Sequence, residues 1–230
     1  MRALLLPIKD LRHAKQRLAP FLTPEERFGL VQAMLADTFR AVRGVQRAER
    51  VFVVTNYEPA MRAAQENGWE LLREEQQFSE SVSVDVASRE CETRGITAVL
   101  RLPLDIPLAQ PGDIDDLLAI SCSPPALIIV PSRDGTGTNA ILRTPPTLFP
   151  SHFGSGSFAR HCDEARHASA QILVRRNARL EMDVDDEADL RTLVQHDLIG
   201  TETGAWLREN GILERLLRNS PAEFRAVAAS

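Results

Sequence analysis

Three kinds of residue in this 230-residue chain carry the makings of phosphate chemistry. The first is a pair of small, hydroxylated, glycine-rich segments, Pro131-Ser132-Arg133-Asp134-Gly135-Thr136-Gly137-Thr138-Asn139 and Phe153-Gly154-Ser155-Gly156-Ser157-Phe158-Ala159-Arg160-His161. Each follows a predicted strand and precedes a helix or second strand, where several backbone N–H groups can converge on one phosphate. Two such segments in one small domain imply a site that holds more than one phosphorylated group. The second kind is carboxylate: Asp105 just past one predicted strand, and Asp183 and Asp185 near the end of another. Mg²⁺ takes one or two carboxylates and fills its remaining positions with phosphate and water, a requirement that Asp105 and Asp183 fit. The third kind is cationic: Lys9, Lys15 and Arg17 directly after the first strand. Together these suit a nucleoside triphosphate bound with a divalent metal.

Each feature also has a plainer explanation. Asp105 before Ile106-Pro107 reads equally as a turn residue, and Lys9, Lys15 and Arg17 as a solvated loop. Gly135-Thr136-Gly137-Thr138 fits a hairpin turn. One of Asp185 and Asp186 should cap the helix that follows, and Ser157 should cap its own. Capping and phosphate binding use the same free N–H groups, so the two roles are compatible. Asp183 stands apart, because it interrupts the strand-like pattern Leu180-Glu181-Met182-Asp183-Val184, where a carboxylate is disfavoured.

The elements that must position these residues alternate. Leu4–Ile8, Val51–Thr55, Ile96–Leu104, Ala126–Val130, Ala140–Arg143 and Ala178–Val184 read as strands. Thr23–Arg43 reads as a long helix with Thr23 as N-cap, Pro24 at its first position and Glu25 and Glu26 in its first turn. Further helices are expected at Glu58–Asn67, Ser79–Arg94, Gly112–Ser121, Ser157–Ser169, Asp186–Val194 and Ala205–Arg218, with Ser220–Ser230 as a loose tail. Alternating strands and helices give an α/β fold with a mostly parallel sheet. In such sheets ligands bind outside the carboxyl ends of the strands, where Lys9, Lys15, Arg17, Asp105, Arg133, Asp134, the Gly135–Thr138 segment, Asp183 and Asp185 fall.

Composition narrows the partners. Lys and Arg number 27 against 32 Asp and Glu, for a net charge of −5 with no basic run, which argues against nucleic acid. No apolar stretch approaches the roughly 20 residues that span a bilayer. The opening Met1-Arg2-Ala3-Leu4-Leu5-Leu6 is too short for a signal peptide and reads as a core strand. Three scattered cysteines form no C-x-x-C pair, as expected of a cytoplasmic protein without a disulfide framework. P-loop and dinucleotide-binding glycine motifs are absent, as is any nucleophile motif or metal-type histidine spacing.

These residues add up to a resemblance. Pro7-Ile8-Lys9, Ala14-Lys15-Gln16-Arg17-Leu18, Leu102-Pro103-Leu104-Asp105-Ile106-Pro107-Leu108, Asp134–Ala140, Phe153–His161 and Leu180–Asp185 resemble the CofC/FbiD family of guanylyltransferases, which make the GDP-linked precursor of the deazaflavin coenzyme F420. The likeness spans nearly all of residues 1–195. It implies a GT-A-like nucleotidyltransferase fold, a mostly parallel mixed sheet flanked by helices, over residues 1–198, with residues 199–230 as a C-terminal attachment. It implies GTP as substrate and Mg²⁺ as cofactor, with two ions. Asp105 and Asp183 match the family's metal carboxylates, with Asp185 beside them. Thr138, Gly154 and Ser157 match positions that hold the small phosphorylated acid. Lys9, Lys15 and Arg17 match the loop near the triphosphate. The family's Gly-Leu-Asn turn is replaced here by Gln76-Gln77-Phe78-Ser79-Glu80-Ser81, in which Ser79 and Ser81 offer donors to the nucleotide.

The reaction so implied joins GMP to the phosphate of a three-carbon acid, 2-phospho-L-lactate or phosphoenolpyruvate. A nucleotidyltransferase with another acceptor, a glycosyltransferase and a non-catalytic nucleotide-binding module are the competing readings. The amphipathic C-terminal helix offers a face for a second subunit.

Overall fold

The computed structural model describes residues 1–74, 76 and 79–218. Among them seven strands form one sheet in the order β3-β2-β1-β4-β6-β5-β7. The strands are β1 (Arg2–Pro7), β2 (Arg50–Thr55), β3 (Glu70–Arg73), β4 (Ala98–Arg101), β5 (Ala126–Pro131), β6 (Thr138–Thr144) and β7 (Gln171–Val174). All neighbours pair in parallel except β6, which runs antiparallel to both β4 and β5. The helices are α1 (Pro24–Arg43), α2 (Glu58–Glu66), α3 (Glu80–Thr93), α4 (Pro111–Ala119), α5 (Ser157–His167), α6 (Glu187–Leu193), α7 (Glu202–Glu209) and α8 (Ile212–Arg218). Two 3₁₀ turns, Leu11–His13 and Gln16–Leu18, lie between β1 and α1.

The central strands are buried on both faces, which is why they read as continuous apolar runs. Along β1, Leu4 and Leu6 join the core under α1 and α4, while Ala3 and Leu5 join the opposite core with Phe52, Val54 and Val84 of α3. A third cluster packs Cys162 and Ala165 of α5 on Leu127 and Ile129. The start of α1 is built as expected: Thr23 and Glu26 form a reciprocal capping box with Pro24 at the first helical position between them.

Four expectations need correction. β3 and β7 are additional to the predicted strands; as four-residue edge strands they carry no full apolar signature. Ala178–Val184 is not a strand; it is an irregular loop with turns over residues 178–180, and its apolar residues Leu180, Met182 and Val184 are buried there without ladder pairing. Ala205–Arg218 is two helices, broken where Gly211 adopts a left-handed φ of 67°. The expected strand at Ile96–Leu104 pairs only over Ala98–Arg101. The tail from Ser220 onward lies outside the described residues. Among the described residues no helix is long and apolar enough to cross a membrane.

The segment beyond residue 198 is fastened to α1. Asp37 accepts hydrogen bonds from the backbone N–H groups of Glu202 and Thr203 at 2.8 and 2.9 Å. Gly29 faces Trp206 so closely that a Cβ there would stand 2.6 Å from the indole Nε1, so only glycine admits the ring.

Arg143 of β6 is 2% exposed and donates to Phe149 O at 2.6 Å and Ser88 Oγ at 2.8 Å, with Asp85 at 3.4 Å. It thereby ties β6 to α3 and to the loop that leads into Phe153-Gly154. Arg143→Met strands those acceptors and is expected to cost about 3 kcal/mol of unfolding free energy. Urea denaturation checks this, and a loss under about 1 kcal/mol would show that the buried guanidinium is dispensable.

Candidate active site

The carboxyl ends of β1, β4 and β5 and the amino end of β6 open on one edge of the sheet, because β6 alone reverses direction. Lys15 enters from the turns after β1 with a left-handed backbone, φ 53° and ψ 45°. Its Nζ lies 2.5 Å from Asp105 Oδ2 and 2.7 Å from Asp185 Oδ1. Burial opposes the ammonium charge, but the two carboxylates more than offset that and hold Lys15 above its ordinary pKa. For Asp105 burial pushes upward, and the neighbouring Lys15 charge and hydrogen bond outweigh it, leaving the carboxyl below its ordinary value.

Asp183 has no such partner among the described residues. Its Oδ1 accepts from Asn139 Nδ2 at 3.1 Å, and the same amide donates to Leu180 O. Burial pushes Asp183 up to about 6, with the charges of Asp105 and Asp185 adding to the shift and the Asn139 bond opposing it. The loop that carries Asp183 is pinned beside β4, since Val184 N–H donates to Asp105 O at 3.0 Å. The capping question is also resolved: Asp186 caps α6 by accepting from Ala188 and Asp189 N–H, which leaves the Asp185 carboxylate for Lys15.

A half-buried carboxylate with two like charges beside it and no cation of its own is a place where a divalent cation fits. Among the described residues no three or more His, Cys, Asp or Glu side chains are grouped so as to hold a metal ion by themselves. An ion beside Asp183 would need a phosphorylated ligand and water to complete its shell.

The hairpin from β5 to β6 is wired internally. Ser132 Oγ accepts from Gly137 N–H, and Asp134 accepts from Thr136 N–H and from the Ser132 and Thr136 hydroxyls, which hold its carboxyl down at about 2. Phe158 N–H donates to Thr136 O, docking the hairpin on the first turn of α5. There Gly156, not Ser157, is the N-cap of α5, and Ser157 as its first residue turns its hydroxyl elsewhere: Oγ lies 3.2 Å from Thr138 Oγ1, which in turn lies 3.0 Å from His161 Nδ1. Gly154 and Gly156 hold φ values of 105° and 70°, conformations that only glycine adopts freely, and a Cβ on either would meet nothing within 4 Å. The loop thus turns a bare backbone outward.

Two adjoining cavities result. One of about 640 Å³ is lined by Thr138, Gly154, Ser157, Asp183 and the hairpin. The other, about 380 Å³, is lined by Lys9, Lys15 and the turns after β1. Asp105, Asp185, Arg17 and Arg101 line both. A larger groove between β3 and α3, about 860 Å³, carries mostly apolar walls and none of Lys15, Asp105, Thr138 or Ser157.

The other sequence-predicted residues stand around this cluster rather than in it. Lys9 Nζ turns to Ser83 Oγ at 2.5 Å and Glu74 at 3.4 Å. Arg17 is mostly exposed, 3.4 to 3.5 Å from Asp186 and Asp185. Ser79 caps α3 through Val82 N–H, and Ser81 Oγ accepts from Phe153 N–H at 2.9 Å. Gln77 and Phe78 of the divergent segment lie outside the described residues. Arg101 is a further residue of the site, beyond those the sequence predicts. It is 5% exposed, donates to Thr138 O and Asn139 O, pairs with Glu80, and stacks its guanidinium 4.2 Å from the Phe153 ring centroid. An arginine closing the apolar strand Ala98-Val99-Leu100-Arg101 was the available signal.

The family model for guanylyl transferase CofC-like proteins matches residues 1–228 of the chain. A phosphoenolpyruvate guanylyltransferase of Rubrobacter xylanophilus is 35% identical over 82% of this chain and 91% of its own length. A 2-phospho-L-lactate guanylyltransferase of Methanothermobacter thermautotrophicus is 32% identical over 89% of each. In structure, a Desulfovibrio desulfuricans protein assigned to the nucleotide-diphospho-sugar transferases superposes with a TM-score of 0.76 at 18% identity, over 93% of this chain and 96% of that one. That likeness establishes the fold.

Proposed function

The chain belongs to the CofC-like guanylyl transferase family, and from that premise we propose that it joins GMP from GTP to the phosphate of a three-carbon acid, phosphoenolpyruvate or 2-phospho-L-lactate, releasing pyrophosphate in the assembly of coenzyme F420. The observation that carries this reading is the pair of cavities with a shared wall of Asp105, Asp185 and Arg101. The cavity beyond Lys15 takes the triphosphate, and the cavity under Thr138, Gly154 and Ser157 takes the acid.

A phosphate monoester has its second pKa at about 6 and is mostly dianionic at neutral pH. It can attack the α-phosphorus directly, forming the new P–O bond as the bond to pyrophosphate breaks, with no proton to remove. The protein's task is to bring two anions together and align them. Lys15 keeps its charge at neutral pH, and from between Asp105 and Asp185 it offsets the repulsion between the substrates. The hydroxyls of Thr138 and Ser157 and the outward backbone at Gly154 orient the acid. Asp105, Asp183 and Asp185 would hold Mg²⁺, which when bound neutralises phosphate charge and polarises the phosphoryl group under attack.

Pyrophosphate release from GTP and Mg²⁺, measured with phosphoenolpyruvate, 2-phospho-L-lactate and 3-phosphoglycerate in turn, tests the reaction and names the acid. Silence with all three while GTP still binds would overturn the acceptor class. Ser157→Ala is expected to raise the KM of the acid about tenfold, the worth of one hydrogen bond to a charged ligand, with the KM of GTP within about twofold. A larger effect on GTP would mean that the two cavities are assigned the wrong way round.

A further inference from the structure

His161 lies at the end of the most distinctive motif in the chain, yet the reaction above gives it no role. Its ring is fully buried, one turn into α5, between Phe149 and Phe153. The backbone N–H of His152 donates to His161 Nε2 at 2.9 Å. A backbone N–H has no other option, so Nε2 is the bare, accepting nitrogen, and in the neutral ring the proton resides on Nδ1. Burial drives His161 down to about 3, with the charges of Arg143, His152, Arg101 and Arg160 adding to the shift, and the ring is neutral throughout the working range.

Nδ1–H therefore donates to Thr138 Oγ1, 3.0 Å away. The rest follows by counting. A hydroxyl carries one hydrogen and two acceptor positions. Thr138 cannot send its hydrogen to His161, because that line already holds a proton. Between Thr138 and Ser157, 3.2 Å apart, one hydroxyl donates to the other. Whichever way that bond runs, one of the two hydrogens is left over. Ser157 and Thr138 both line the cavity assigned to the acid, together with the open backbone at Gly154.

We propose that His161 is a positioning residue for the acid. By locking Nδ1–H onto Thr138, it commits the Thr138–Ser157 pair to presenting one hydroxyl hydrogen to a bound oxyanion. A ring with its proton on Nε2 would instead draw the Thr138 hydrogen inward and oppose the His152 N–H with a second donor. The proposal rests on the assignment of Thr138 and Ser157 to the acid.

Two substitutions separate donor from acceptor. His161→Asn keeps an N–H near the position of Nδ1 and gives up the bond from His152. His161→Gln keeps an acceptor near Nε2 and gives up the donation to Thr138. Steady-state kinetics on both, with thermal melting to confirm folding, is expected to show the KM of the acid raised about tenfold or more in His161→Gln and within about threefold of wild type in His161→Asn, the KM of GTP staying within about twofold in each. Equal effects of the two variants, or the reverse order, would overturn the proposal. If both Ser157→Ala and His161→Gln raise the KM of GTP instead, the hydroxyl relay stands and the acid assignment falls. On the unmodified protein, nitrogen-15 NMR of labelled histidine near pH 7.5 is expected to show one ring protonated on Nδ1. Protonation of every ring on Nε2 would refute the relay without any mutation.

Discussion

Asp105→Asn is expected to lower kcat by about a thousandfold, roughly 4 kcal/mol of transition-state stabilisation, while the protein stays folded. The amide keeps the shape of the carboxylate, so the turn after β4 and its bond from Val184 N–H are undisturbed. What changes is charge. A neutral amide is a poor ligand for a hard dication, and Lys15 is left with Asp185 as its remaining carboxylate partner. Thermal melting should place the midpoint within a few degrees of wild type, because Lys15 remains paired. Pyrophosphate release within fivefold of wild type would remove Asp105 from the reaction.

Lys15→Met is expected to be nearly as severe, with kcat reduced by about a hundredfold or more. The ammonium bridges two carboxylates at 2.5 and 2.7 Å, and Asp183 already feels both of them. Removing it leaves three like charges together, and one of the group would take up a proton near neutrality. The sign follows: with the cation gone, Asp105 loses the influence that holds it low, so activity surviving in Lys15→Met should fall away at a higher pH than in wild type as acid is added. Lys15→Arg is not expected to restore the rate, because a planar fork cannot stand at the point where a compact ammonium meets both oxygens. A kcat for Lys15→Met within threefold of wild type would mean that the bridge is only structural.

The central sheet was legible because β1, β2 and β5 are buried on both faces and announce themselves as unbroken apolar runs. The edge strands β3 and β7 were not, since a short strand with one covered side resembles any amphipathic loop. Asp183 was singled out for breaking a strand pattern. The inference that it was unusual survives, although the strand itself does not exist: Leu180, Met182 and Val184 are buried as loop residues. The roles of Asp185 and Asp186 could be divided only in three dimensions, where one caps a helix and the other meets a lysine 170 residues away in sequence. Arg101 and His161 were hidden for a related reason. Each acts through backbone atoms and hydroxyls of distant segments, and local spacing holds no trace of such bonds.

The reversal of β6 has a bearing on how such an enzyme diversifies. On the proposed reading, Lys9 and Lys15 of the triphosphate cavity come from the first turns of the chain, whereas Thr138, Gly154 and Ser157 of the acid cavity come from one stretch, the hairpin through the start of α5, and Asp105 and Asp185 serve both. Substitutions confined to residues 131–161 thus reach the acid cavity while leaving Lys9 and Lys15 untouched. Relatives named for two different three-carbon acids stand at 35% and 32% identity to this chain, so overall likeness does not select the acid and the lining of that stretch is where the choice is to be sought.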